Sequence, residues 1–391
     1  MKRSEAKPTI TSQEGASNSP SFDKFVIPPR ERGGFVKVGK NTWEVAMKLK
    51  SPYLLFLGNA EDLQAAKTAN GILQWAPEKC LGQIRLKSCK VRLPIPEYSL
   101  EEAYERGART LIIGVANRGG LIEQEWLELF HKALGLGFDI ANGLHESLLK
   151  IDSLATLSEK SGVAIFEVRH PQESFPIGDG KIRSGKRLLT VGTDCSIGKM
   201  YTSLHIVEAL KKRGLSVNFR ATGQTGMFIA GEGLAIDGVR GDFLAGAIEA
   251  LSPAMDENHW DIIEGQGSLL HPSYAGVSLA LLHGSQADVL IMCHQLKRQH
   301  MRGLPHRKMP DLNHCLQVHL EAAKLIKPQA YFLGISLNTS NLPEKDRVHA
   351  MEQVSQETGL LCFDPSIGND KIVEKILDYD RDQSLPRVVA Y

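Results

Sequence analysis

The sequence has no Cys-x-x-Cys pair. Its six cysteines, Cys80, Cys89, Cys195, Cys293, Cys315 and Cys362, are scattered along 391 residues. Disulfide frameworks and structural zinc sites keep their sulfurs in close recurring pairs, so neither is expected, and a reduced, cytoplasmic setting is. A surplus of one charge is also missing: 46 Lys and Arg against 45 Asp and Glu leave +1. Bulk electrostatic binding needs such a surplus, so neither nucleic acid nor a membrane surface is expected as a partner. No apolar run approaches the length of a membrane span, and no signal-peptide core stands near Met1. Gly-x-Gly-x-x-Gly is absent, which removes the dinucleotide fingerprint. Gly-x-Ser-x-Gly is absent, which removes the serine-hydrolase elbow.

What is present is organised around Arg187 to Gly214. Leu188 to Val191 reads as a short buried strand. Gly192, Thr193, Asp194, Cys195, Ser196, Ile197, Gly198 and Lys199 read as a loop, and a helix follows with Leu204, Val207 and Leu210 on one stripe. Lys211, Lys212 and Arg213 suit the negative end of that helix, and Gly214 stops it. Strand, glycine-bounded loop, Gly-Lys and helix are the parts of a phosphate-binding P-loop, in which backbone N–H groups face an anion and the lysine adds a point charge. Five residues separate Gly192 from Gly198 where four are usual, and Thr193 fills the first-glycine slot. This Gly-Thr-Asp version resembles the dethiobiotin-synthetase branch of P-loop proteins. Met200 stands where nucleotide hydrolases and kinases carry the Ser or Thr that binds magnesium, and a thioether is a poor ligand for a hard cation. The loop therefore reads as a holder of a diphosphate that need not be cut, with Gly192 through Met200 as the cofactor-binding residues.

The length calls for two domains. Residues 1–50 read as a partly disordered extension, whose Phe35–Val38 and Trp43–Val45 could dock on the first domain. Residues 51–186 alternate strand and helix and read as a Rossmann-like α/β domain. Helices are expected from Glu61, from Ser99 with a Ser-x-x-Glu box to Glu102, and from Glu123. Residues 187–391 read as a second parallel α/β sheet of P-loop NTPase type. Ligands of such sheets sit beyond the carboxyl ends of the strands. That rule puts Asn117 and the Asn142–His145 turn on one rim, although tight turns alone would account for these residues.

Several motifs end strands beside the loop. Glu264, in Glu-Gly-Gln-Gly-Ser, is placed as a metal-binding or water-ordering acid or as a general base. His271 lies three residues past Ser268. Arg220 ends a neighbouring strand, and Gln224 and Thr225 in the turn after it offer an amide and a hydroxyl for an oxyanion. The run from His294 to Lys308, with Arg298 and Arg302, is the one dense basic stretch, and it leaves a central strand where it could clamp phosphate or carboxylate. Only Cys315 and His319 among its neighbouring cysteines and histidines have helical ligand spacing, so no metal is expected.

Met200 after Lys199, Gly223–Gly226, Glu264–Pro272, His283–Ser285 and Met301–Pro305, together with Lys67–Gly71, Gly114–Asn117 and Gly143–His145, resemble one P-loop family. Its best-understood members are bacterial and archaeal D-glutamate N-acetyltransferases. The resemblance spans about Tyr53 to Asp380 and implies acetyl-CoA as co-substrate, D-glutamate as acceptor and N-acetyl-D-glutamate as product; a homo-oligomer is expected besides. On this footing the loop grips the diphosphate of coenzyme A. Arg298, Arg302, Arg220, His294 and Asn117 take substrate anions, Glu264 or His271 removes a proton from the ammonium, and Gln224 and Thr225 steady the oxyanion. The rival readings are an ATP–magnesium ligase or kinase, with Asp194 and Glu264 on the ion, and a non-catalytic nucleotide-binding protein.

Overall fold

The structure, a computed structural model, describes residues 34–37, 43–46, 49–116, 121–171 and 175–381. Most of the extension, and Asn117, lie outside them. Strands β1 (Gly34–Lys37) and β2 (Trp43–Ala46) pair antiparallel.

The first sheet is built from β3 (Tyr53–Phe56), α1 (Lys67–Trp75), β4 (Cys80–Ile84), α2 (Leu100–Glu105), β5 (Thr110–Ile113), α3 (Gln124–Leu136), β6 (Asp139–Asn142), α4 (Asp152–Ser161) and β7 (Ile165–Glu167). Its five strands are all parallel, in the order β4-β3-β5-β6-β7. β3, β5 and β6 are buried along their whole length, as the strands of a sheet covered on both faces are, although β6 carries Asp139 and Asn142 at its ends. The box at the head of α2 forms as read: Ser99 Oγ accepts from Glu102 N, and Glu102 accepts from Ser99 N. The expected helix from Glu61 starts later, at Lys67. Asp62 Oδ1 accepts from Ala65 N at 2.8 Å, closing a side-chain turn that competes with helix over the first residues.

The second sheet follows from β8 (Lys186–Gly192), α5 (Lys199–Lys212), β9 (Val217–Arg220), α6 (Gln224–Ala230), α7 (Leu244–Leu251), β10 (Trp260–Ile263), α8 (Ala275–Ser285), β11 (Val289–Gln295), α9 (Leu312–Lys324), β12 (Tyr331–Asn338), α10 (Glu344–Thr358), β13 (Cys362–Phe363) and α11 (Asp370–Arg381). Its six parallel strands run β13-β12-β11-β8-β10-β9. From β8 the chain winds first to one side and then to the other, so the crevice of the sheet opens at the carboxyl end of β8, where the loop sits. Leu188 and Leu189 enter different clusters on opposite faces, and helices cover both. The cluster holding Leu188, Ile206 and Phe228 is continuous with the core of the first domain around Phe56, Leu111 and Ile140. β2 runs beside α7 of the second domain, not on the first domain as its sequence suggested. No helix among the described residues is long and apolar enough to cross a membrane.

Candidate active site

The loop leaves β8 through Gly192 and enters α5 through Gly198, whose φ of +114° a side chain would oppose. Lys199 is buried, and its ammonium donates to the carbonyls of Asp194 and Gly267, both at 2.8 Å. Burial lowers its pKa. An ammonium has three donors, so one remains for a bound anion. Among the described residues, no protein acceptor meets the backbone N–H groups of Cys195 through Lys199.

Arg298 explains why these N–H groups face inward. Its Nη1 donates to Asp194 Oδ2 at 2.7 Å and to Cys195 O at 2.8 Å, and its Nη2 donates to Ser196 O at 3.1 Å. In a trans peptide the carbonyl and the following N–H point in opposite directions. A guanidinium that holds the carbonyls of Cys195 and Ser196 from outside therefore turns the N–H groups of Ser196 and Ile197 into the cradle. Arg298, expected to clamp a substrate anion, braces the loop instead. His294 does the same from β11: Thr193 Oγ1 lies 3.0 Å from its Nδ1, and burial, then Arg298, lower its pKa to about 4. It is a neutral tether and not an anion clamp. Arg220 is also redirected. Its Nε donates to Asp261 Oδ1 at 2.7 Å, two strand positions back from the sheet edge, within a buried group with Ser252 and His259.

Glu264 is buried at the end of β10, beside the loop. Its Oε2 accepts from Thr222 N at 3.0 Å and Gly223 N at 3.2 Å. These bonds favour the carboxylate, but burial outweighs them and raises its pKa to about 7. The same bonds close the turn ahead of α6, so Gln224 to Gly226, read from sequence as a turn, begin a helix. Both polar side chains of that first turn face the first domain. Thr225 Oγ1 donates to Thr68 Oγ1 at 3.2 Å, so its proton serves the domain contact and not an oxyanion. Gln224 presses on Gly143, where an added Cβ would lie 2.0 Å from its Oε1. Gln224 is buried, and Arg169 Nε holds Gly143 O at 2.7 Å, so neither side yields easily. Gly143→Ala is expected to cost about 1–3 kcal/mol, read as a lowered melting temperature.

His271 has no free nitrogen. Its Nδ1 accepts from Ser273 N at 3.2 Å, which leaves the proton on Nε2 to be donated to Arg302 O at 3.1 Å. The ring ties the turn after β10 to the basic loop and has no lone pair to offer as a base. Asp194, Cys195 and His271 bring ligand atoms within 4.8 Å of one another, a grouping the sequence reading missed because Cys195 and His271 lie far apart in the chain. The spacing noticed there, Cys315 with His319, is a bond inside α9 from His319 Nδ1 to Cys315 O at 2.7 Å.

Met200 turns toward α1, where its Cε would lie 3.6 Å from a Cβ at Gly71. The position that a magnesium-binding hydroxyl would occupy is thus used for apolar contact between the domains. Tyr201, the next residue, donates from its hydroxyl to Gln74 Oε1 at 2.6 Å. Beside the loop, residues of both domains come close enough to act on one another electrostatically: Lys67 and Arg169 from the first domain region, Cys195 and Arg302 from the second.

A family model described as "Domain of unknown function (DUF1611_C) P-loop domain" matches residues 176–373, and one described as "Domain of unknown function (DUF1611_N) Rossmann-like domain" matches residues 84–171. A D-glutamate N-acetyltransferase of a Pseudoalteromonas species is 46% identical over 331 residues, 84% of this chain and 100% of that protein. Another from Tritonibacter scottomollicae is 49% identical over 317 residues, 81% of this chain and 95% of that protein. The crystal structure of a DUF1611 family protein from Anabaena variabilis superposes with a TM-score of 0.76 at 32% identity, covering 84% of this chain and 100% of that one.

Proposed function

The chain belongs to the DUF1611 family, and from that membership we propose that it is an N-acetyltransferase moving the acetyl group of acetyl-CoA to the amino group of D-glutamate. The observation that carries the donor half is the loop itself. Its N–H groups are turned inward and unpartnered, while Met200 is packed against the first domain. That combination suits a diphosphate that is gripped and left intact. The unpartnered N–H groups and the third donor of Lys199 bind the diphosphate of coenzyme A.

Glu264 takes a proton from the acceptor's ammonium, and its pKa near 7 lets it do so at neutral pH. The freed amine attacks the thioester carbonyl, the C–N bond forms and the C–S bond breaks. The thiolate of coenzyme A leaves and takes up the second proton that the attacking nitrogen sheds as it becomes the amide. His271, without a free lone pair, positions the Arg302 turn. The ligase or kinase reading asks Asp194 and Glu264 to hold magnesium. Asp194 Oδ2 already accepts from Arg298 and from Arg302 N, and Glu264 Oε2 from two backbone N–H groups.

The test is thiol release from acetyl-CoA in the presence of a chelator. Release that starts only when D-glutamate is added supports the transferase. Rapid ATP hydrolysis with magnesium and indifference to acetyl-CoA would overturn it.

A further inference from the structure

Arg302 is pinned on both sides of its α-carbon. Its N–H donates to Asp194 Oδ2 at 2.8 Å, and its carbonyl accepts from His271 Nε2 at 3.1 Å. A backbone so held fixes where the guanidinium starts. The side chain reaches to the first domain. With the Gln64 amide oxygen turned toward it, Nη1 and Nη2 donate to that oxygen at 2.7 and 3.0 Å. A neutral amide oxygen takes two of five N–H donors and none of the charge.

Three residues after Gln64, Lys67 opens α1. Among the described residues, neither Lys67 nor the Arg302 guanidinium is ion-paired with a carboxylate. Lys67 is an exposed residue, yet enough protein surrounds its ammonium that desolvation, then Arg302, then Arg169, bring its pKa down to about 8. Arg169 differs from these two, because its guanidinium is already held by Gly143 O and Asp237. Cys195, at the tip of the P-loop, is also close enough to act on Lys67. Because the Arg302 guanidinium rests on Gln64, three residues before Lys67, two cations without a carboxylate partner, one from each domain, lie near one another beside the loop. Like charges on flexible side chains normally spread apart; holding them together has a cost that a shared anionic partner offsets.

We propose that Lys67 and Arg302 form the subsite that receives the two carboxylates of a dicarboxylic amino-acid acceptor. The inference rests on the acetyl-transfer reading and adds the residues that select the acceptor. It assigns Lys67 a substrate-binding role, and it separates the anion sites: loop N–H groups and Lys199 for the donor, Lys67 and Arg302 for the acceptor.

The experiment uses the full-length enzyme with Lys67→Met and Lys67→Arg. Losing one charged contact is expected to raise KM for D-glutamate by about 10- to 100-fold. The KM for acetyl-CoA should stay unchanged and kcat should change much less. Lys67→Arg should restore most of the affinity. With D-glutamine, which has one carboxylate fewer, Lys67→Met should matter far less, so the preference for D-glutamate over D-glutamine narrows. A rise in KM for acetyl-CoA with D-glutamate unaffected would assign the cations to a phosphate of the donor and overturn the proposal, as would no change in either. Calorimetry with D-glutamate alone separates the two levels. If the wild-type chain binds D-glutamate, Lys67→Met abolishes that heat and no acetyl transfer occurs, the subsite stands and the transfer reading falls. If the wild type transfers acetyl and Lys67→Met binds D-glutamate normally, the subsite falls alone.

Discussion

Glu264→Gln is expected to lower kcat for acetyl transfer by about 10²- to 10⁴-fold, the usual loss when a positioned general base is removed. The pH profile is the sharper readout. With its pKa raised by burial to about 7, Glu264 is mostly protonated at pH 6 and mostly ionised at pH 8. A protonated carboxyl cannot accept the ammonium's proton, so wild-type kcat/KM should fall about tenfold per pH unit below 7 and level off above it. In Glu264→Gln that limb should vanish. The sign on stability is opposite. A carboxyl whose folded pKa is raised loses stability as pH climbs from its usual range through 7, because the charged form is the desolvated one. The Gln variant has no such charge to bury and should not melt lower than wild type at pH 8. His271→Asn serves as the contrast. It removes a tether and leaves the base in place, so its kcat should fall by less than Glu264→Gln and keep the limb near pH 7. A variant at Glu264 that retains wild-type rate would end its assignment as base.

Arg298→Met is expected to unsettle the P-loop as a whole. Asp194 is fully buried, and its carboxylate relies on the Arg298 guanidinium and the Arg302 N–H. Removing the cation strands a buried charge, at a cost of about 3 kcal/mol, which for a chain of this size lowers the melting temperature by roughly 4 °C. The carbonyls of Cys195 and Ser196 lose their outer partner at the same time, so the cradle's N–H groups lose their inward set and acetyl-CoA binding weakens. Adding Asp194→Asn removes the stranded charge. The double variant should regain much of the melting temperature while acetyl-CoA affinity stays low, because the two carbonyls remain unbraced. Calorimetric titration with acetyl-CoA and thermal melts of the three proteins check this. An unchanged melting temperature in Arg298→Met would show that Asp194 does not depend on it.

Much of the fold could be read from the chain because its signals are local. The run from β8 through the loop to α5 is contiguous, so strand, glycines, lysine and helix announce one another within a few turns. The capping box at Ser99 is also contained in four residues. The same alternation of buried strands and helices implies two parallel sheets, and two are present.

The polar residues at the strand ends were a different problem. Their types were informative but their directions were not. Arg298 and Arg302 belong to one basic run, yet one closes on the loop's carbonyls and the other crosses to Gln64. Arg220 folds back to Asp261, His294 is held neutral against Thr193, and Thr225 is given to Thr68. Lys67 stands well over a hundred residues before the loop tip it approaches, with no local feature to mark it. By itself the sequence determined that there is an anion cradle and a pair of parallel α/β sheets, because backbone hydrogen bonding and hydrophobic period act over neighbouring residues. Only the tertiary structure decided which charged side chains brace that cradle and which are left without a carboxylate partner beside it. Those choices depend on what distant segments bring within a few ångströms, and on burial that no local spacing encodes.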